Sequence, residues 1–139
     1  MRIVIDTNVL VSGLLWHGPS NRLWNHVLTA HAELFSSQIL IDEFAEVIER
    51  PKFKAILARA SRTSKQLLSN FRDAVELVVP APLPQPVSRD ADDDHVIAAA
   101  LAARADWIVT GDQDLLVLGS HVGIAIVTPA QALQMLEAA

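Results

Sequence analysis

The chain opens Met1-Arg2-Ile3-Val4-Ile5-Asp6-Thr7-Asn8-Val9-Leu10-Val11-Ser12. Residues 2–5 are apolar, β-branched and too short for a helix, so they read as a buried β-strand. The strand runs directly into a carboxylate, a hydroxyl and an amide. A parallel strand that ends in Asp delivers that acid to the crevice where open α/β sheets bind their ligands. Asp6, with Thr7 and Asn8 beside it, therefore sets the expectation for everything downstream: further acids arriving at the same sheet edge.

The remainder alternates in the same way. Val9 to Leu15 is apolar and reads as a loop or short turn leaving the site, punctuated by His17-Gly18-Pro19-Ser20. A helix is expected over 21–31, with Leu23, Trp24, Val27 and Leu28 at core spacing, and then a short strand over 33–36. Ser36 or Ser37 can cap a helix running to Glu49 and stopped by Pro51. Helices are expected over 52–60 and 64–76, then a strand over 77–79. Pro80, Pro82, Pro84 and Pro86 make an extended surface connection that is neither helix nor central strand. Asp93 or Asp94 begins an alanine-rich helix to Arg104. A strand over 107–110, a helical turn over 112–118 and a strand over 124–127 follow. Thr128 caps a last helix with Pro129 at its first position. Strands alternating with helices imply an α/β fold, a three-layer α/β/α sandwich around a parallel sheet of four to five strands.

Composition narrows the function. The 139 residues suit one domain spanning the whole chain, and 51% are hydrophobic against 19% charged, which fits a buried parallel sheet. The absence of cysteine excludes disulfides, thiolate catalysis and cysteine-bound zinc. No apolar run approaches the ~20 residues of a membrane span and no signal peptide is visible, so a cytoplasmic protein without membrane contact is expected. The net charge is −5. Removing Asp6, Glu43, Asp94, Asp112 and Asp114 as one site leaves 11 acids against 11 Lys and Arg. The acidity is then local to that site. Seven of the basic residues, among them Arg50, Lys52, Lys54, Arg59, Arg62 and Lys65, fall between 50 and 72, a segment with no Asp or Glu. It is either a solvated helical face or a surface for the phosphates of a nucleic acid.

The acids come at telling positions. Glu43 sits beside Leu40 and Val47 at the rim of its helix's apolar stripe, where a carboxylate is costly unless paired or metal-bound; a snorkelling surface Glu is the plainer reading. In Asp90-Ala91-Asp92-Asp93-Asp94, helix capping and the helix dipole explain one acid. Three in a row repel one another, and a divalent cation relieves that. Helical phase selects Asp94 as the inward ligand, since Ile97, Ala98 and Leu101 follow it on the expected buried side. Thr110-Gly111-Asp112-Gln113-Asp114 follows a strand, at the same sheet edge as Asp6. Asp112 and Asp114 are each explicable as a cap and a first-turn acid, and Thr110 can hydrogen-bond a neighbouring carboxylate. Together the acids describe an oxygen-only pocket suited to Mg²⁺ or Mn²⁺. Two such ions about 3.5–4 Å apart can activate water and stabilise the leaving oxygen of a phosphodiester. His17, His26, His31 and His121 lack ligand spacing, and His95 is assigned to the surface. Trp16, Trp24 and Trp107 read as core or interface residues. No nucleophile-elbow, P-loop or dinucleotide motif is present.

Asp6-Thr-Asn-Val-Leu, Glu43, Asp94 and Thr110-Gly-Asp112-Gln-Asp114 resemble, in order and at domain length, the PIN-domain ribonucleases. More narrowly, Asp92-Asp-Asp-His-Val-Ile-Ala-Ala-Ala followed by Ala105-Asp-Trp-Ile-Val-Thr-Gly-Asp-Gln-Asp-Leu-Leu is similar to the PIN toxins of prokaryotic toxin–antitoxin systems. The resemblance implies Mg²⁺- or Mn²⁺-dependent cleavage of single-stranded or loop RNA. It also implies frequent homodimers and, for toxins, a cognate antitoxin. Asp6, Glu43, Asp94 and Asp112 match the family's acidic quartet, Asp114 an additional acid, and Thr7, Asn8 and Thr110 the supporting polar positions. Two other classes compete. A haloacid-dehalogenase-like phosphatase requires Asp where position 8 has Asn, and a receiver domain requires a nucleophilic Asp on a later strand with a paired Lys. A non-catalytic module would use the acids only to hold a structural ion while binding RNA or protein.

Overall fold

The computed structural model of the protein describes residues 1–16, 18–29 and 32–138; His17, His31 and the side chain of Leu28 lie outside the described residues. Its strands form one sheet of order β3-β2-β1-β4-β6-β5. They are β1 (Arg2–Ile5), β2 (Glu33–Ser36), β3 (Val75–Leu77), β4 (Trp107–Val109), β5 (Ser120–His121) and β6 (Ile124–Val127). The first five in spatial order run parallel, as expected. To them is added the two-residue β5, antiparallel to β6 and joined to it by a tight turn. That turn holds Val122 at φ 50° and Gly123 at φ 80°.

Alternation along each strand divides the core between the two faces. Ile3, Ile5, Leu34, Trp107 and Val109 face one side. That side carries α1 (Thr7–Leu15), α2 (Pro19–Leu28), α3 (Gln38–Ile48), α4 (Pro51–Arg59), α5 (Ser64–Ala74) and α8 (Pro129–Ala138). Val4, Phe35, Ile108 and Ile126 face the other, against α6 (Ala91–Ala103) and α7 (Gln113–Leu116). Fully buried Ala99, Ala100 and Ala103 let α6 lie low across β1, β2 and β4. Within the thicker layer the rings of Phe44 and Phe71 meet with centroids 4.9 Å apart.

Besides the added β5 and an α6 that starts at Ala91, two residues or more ahead of expectation, three elements depart from it. Residues 7–15 form a helix and not a loop, because α1 packs against α2 and α3 and so buries Val9, Leu10, Val11 and Leu14 together, leaving no amphipathic period to read. Gly13 permits that contact: a Cβ there would come within 2.8 Å of the Ser20 carbonyl oxygen. The edge strand β3 lies two residues earlier than expected, since α5 runs into it without a loop. Val78 makes the last ladder bond, to the Ser36 carbonyl, and Pro80 forbids any further one. α2 begins at Pro19 and not at residue 21, with Pro at a first-turn position where its missing N–H costs nothing.

Candidate active site

β1 and β4 are adjacent in the sheet, and the chain leaves them in opposite directions, toward β2 and toward β6. Their carboxyl ends therefore bound a topological switch point, where the crossover connections diverge and open a crevice. Ile5 is in register with Val109, so Asp6 and Thr110 emerge side by side. The Asp6 N–H closes the ladder on the Val109 carbonyl at 2.9 Å, and its own carbonyl accepts the first bonds of α1. Asp6 is thus fixed by strand and helix at once.

Around it the polar groups are engaged in series. Thr110 Oγ1 donates to Asp6 Oδ2 at 2.8 Å and accepts from the Asp112 N–H at 3.0 Å. Asp112 caps α7 by accepting from the Asp114 N–H at 2.9 Å. Thr7 lies beside both carboxylates, where its N–H favours the ionised form of Asp6 and its hydroxyl that of Glu43. Asp6, Thr7 and Thr110 are all buried.

The third acid comes from α6, whose N-terminus points at the same crevice. Asp90 caps it, accepting from the Asp92 N–H at 3.0 Å. The inward acid of the run is Asp93. With helical residues starting at Ala91, Asp93 leads the buried stripe Val96, Ile97 and Ala100, whereas Ala98 and Leu101, which follow Asp94, are only partly covered. Asp94, expected to face the site, instead accepts from the backbone N–H groups of Ser88 at 2.8 Å and Val87 at 3.2 Å. It ties the proline-rich connection to α6. Phase on a helix turns by 100° per residue, so an error of one in the starting residue exchanges these two roles.

Carboxylate oxygens of Asp90, Asp93 and Asp112 all lie within 4.8 Å of one another. The electrostatic result is strong crowding. Asp93 is pushed up to about 7, first by burial and then by Asp112, Asp6 and Asp90. Asp6 is also raised, chiefly by burial, against the lowering effect of its bonds from Thr110 and Thr7. Glu43 is raised by burial and by the charge of Asp6, with the Thr7 bond opposing. Three buried or half-buried acids in one crevice are an unfavourable arrangement unless protons or a cation neutralise them. Hard carboxylate oxygens at this mutual spacing fit a divalent ion. Beyond Glu43 a polar groove of about 550 Å³ opens, lined by Asn8, Asp42, Arg50, Asp92 and His95 among others.

The structure thus brings together Asp6, Thr7, Glu43, Thr110 and Asp112, with Asn8 and Arg50 on the adjoining groove. Asp114 contributes its N–H to Asp112, and among the described residues its carboxylate is outside the cluster. Asp90 and His95 had no site role in the sequence reading. Asp90 is the N-cap of α6, which starts two residues or more ahead of expectation, and His95 is exposed, as expected, yet borders the groove. Of the basic segment, Lys54 pairs with Glu49 at 3.0 Å and Arg62 is turned inward onto the Leu14 carbonyl at 3.0 Å. Lys52, Arg59 and Lys65 are exposed.

A family model described as PIN domain matches residues 2–114 of the chain, and no curated protein matches it. The match covers every element that builds the crevice, from β1 through the Asp112 cap. The chain belongs to the PIN-domain family, whose members are in general metal-dependent nucleases. Among the described residues, no helix is long and apolar enough to cross a membrane.

Proposed function

We propose that this member of the PIN-domain family is an endoribonuclease that hydrolyses RNA phosphodiesters with Mg²⁺ or Mn²⁺, working as one domain in the cytoplasm. The observation that carries the reading is the convergence of Asp90, Asp93 and Asp112 to within 4.8 Å, next to Asp6, at a switch-point crevice. Asp6, Asp93 and Asp112, with Asp90 at the rim, would hold the cation. When bound, the ion supplies charge neutralisation at the phosphate and a more acidic water. Thr110 orients Asp6 and keeps its oxygen aimed into the crevice. Glu43, whose carboxyl has a raised affinity for protons, takes the proton from water as the water oxygen bonds to phosphorus; the leaving ribose oxygen departs with the electrons of its broken bond and takes a proton from solvent. Arg50 and the exposed lysines beyond it hold the flanking phosphates.

The toxin role, a cognate antitoxin and a homodimer follow from the resemblance of the Asp92–Ala100 and Ala105–Leu116 motifs, and they belong to the same proposal. The test is purified protein on structured and single-stranded RNAs with Mn²⁺, Mg²⁺ or EDTA, beside Asp6→Asn. Cleavage that requires both metal and Asp6 is expected, with Asp6→Asn folded and its rate lowered by more than about 100-fold. Metal binding without turnover on any RNA would favour a non-catalytic module, and an unchanged rate in Asp6→Asn would remove the assignment.

A further inference from the structure

Trp16 terminates α1 at the end opposite Asp6, about 15 Å away at 1.5 Å per residue. Unlike Trp24 and Trp107, which are 8% exposed, Trp16 is 43% exposed. Its ring meets that of half-buried Phe53 edge-on, with centroids 6.1 Å apart. The Lys52 ammonium stands 5.3 Å from the centre of the Phe53 ring. The Phe53 N–H bonds to the Arg50 carbonyl at 2.9 Å, which places Phe53 one turn from Arg50. Arg50 in turn lines the polar groove with Asn8 and with the acids Asp42, Glu43, Glu46 and Asp92. Arg62 reaches the Leu14 carbonyl at 3.0 Å, bringing a third cation to the same corner. Asn8 and Arg50 on the groove thus connect the acidic crevice with an exposed aromatic corner that carries Lys52 and the inward-turned Arg62.

We infer that Trp16 and Phe53 form a stacking platform for an unpaired base of single-stranded RNA, with Arg50 and Lys52 contacting the phosphates between that base and the crevice. The inference rests on the ribonuclease reading for the identity of the polymer. The charge distribution favours a polyanion over a second copy of the chain. A two-fold contact sets a patch against itself, and here it would oppose cation to cation across a segment, 50–72, that contains no acid. A nucleic-acid strand supplies the complementary charge and the flat face that an exposed indole accepts, whatever the base.

The test uses the full chain in EDTA, where no turnover occurs, titrated with a single-stranded oligouridylate while tryptophan fluorescence and the anisotropy of an end label are followed. Wild type is expected to show quenching. Trp16→Leu is expected to lose most of the quenching and to bind about tenfold more weakly, within the range of one stacked base. Trp16→Phe should recover most of the affinity. Lys52→Gln should lower the slope of log affinity against log salt by about one phosphate contact. In a separate cleavage assay with metal, Trp16→Leu should raise KM and leave kcat at saturating RNA unchanged. Equal binding by Trp16→Leu, or a change in its oligomeric state by sedimentation, would overturn the platform. RNA quenching of Trp16 without cleavage under any metal would leave the platform standing and remove the nuclease reading. Metal-dependent cleavage indifferent to Trp16 would do the reverse.

Discussion

Asp93→Asn removes a charge from the acidic cluster while keeping the side chain's shape, and Asn can still donate toward Asp112. In the metal-free protein Asp93 is raised from 3.8 to about 7. At 1.36 kcal/mol per pH unit, ionising it in the folded state costs at most about 4 kcal/mol. Because Asp112 and Asp6 share the repulsion, about 2 kcal/mol is the working expectation for one substitution. The sign follows from linkage. A carboxyl whose folded pKa lies above its unfolded one contributes stability below about pH 4 and loses that contribution as pH rises toward 7. In EDTA at pH 8, Asp93→Asn should therefore be more stable than wild type by about 2 kcal/mol, a rise in Tm of about 6 °C for a domain of this size. The difference should shrink toward pH 4. Adding Mn²⁺ should raise the wild-type Tm by mass action and the variant's much less. Denaturant titrations and thermal melts at both pH values, with and without the ion, measure these changes in free energy and Tm. If Asp93→Asn at pH 8 in EDTA were no more stable than wild type, the crowding described for the crevice would be wrong.

Asp94→Asn should behave oppositely. Its two charge-assisted bonds to the Val87 and Ser88 N–H groups weaken, so stability should fall by about 1–2 kcal/mol at pH 8 with metal affinity nearly unchanged, as calorimetry would read. Thr110→Val deletes the donor to Asp6 and should lower metal affinity or turnover by about 10–100-fold; an unchanged affinity and rate would show that the bond orients nothing. Val122 occupies a left-handed turn position while 76% exposed, so Val122→Asn should raise stability by about 1 kcal/mol, and a lower Tm would contradict the strain argument.

Much of the fold was legible because the strands are short apolar runs placed between caps and prolines. Ser37, Thr128 and Pro129 mark helix starts that stand where the sequence puts them. The Thr63 capping box does the same for α5. What escaped is long-range in origin. α1 is helical because α2 and α3 help bury it, and its Val, Ser and Gly content points elsewhere. β5 exists only through its pairing with β6. Asp6, Thr110 and Asp112 were legible as neighbours, since parallel strands bring their carboxyl ends to one edge. Asp93 and not Asp94 takes the buried position on α6, a difference of a single residue of helical phase. The demand of the Val87 and Ser88 N–H groups for an acceptor, which captures Asp94, has no local signal. Trp16 was grouped with two core tryptophans by composition, and only packing separates it from them.

The fully buried Ala99, Ala100 and Ala103 set how low α6 rides on the sheet. Asp93 is carried by α6, whereas Asp6 directly follows β1 and Asp112 sits in the turn after β4 that opens α7. The gap between opposing acids is therefore a dimension of the scaffold: the thickness of one layer of methyl groups. A methylene added at any of those three positions would lift the helix and widen a cage several residues away without touching an acid. Since Mg²⁺ demands oxygen distances near 2.0–2.1 Å and Ca²⁺ tolerates 2.3–2.6 Å, the ionic radius that such a cage would accept depends on packing in the hydrophobic core.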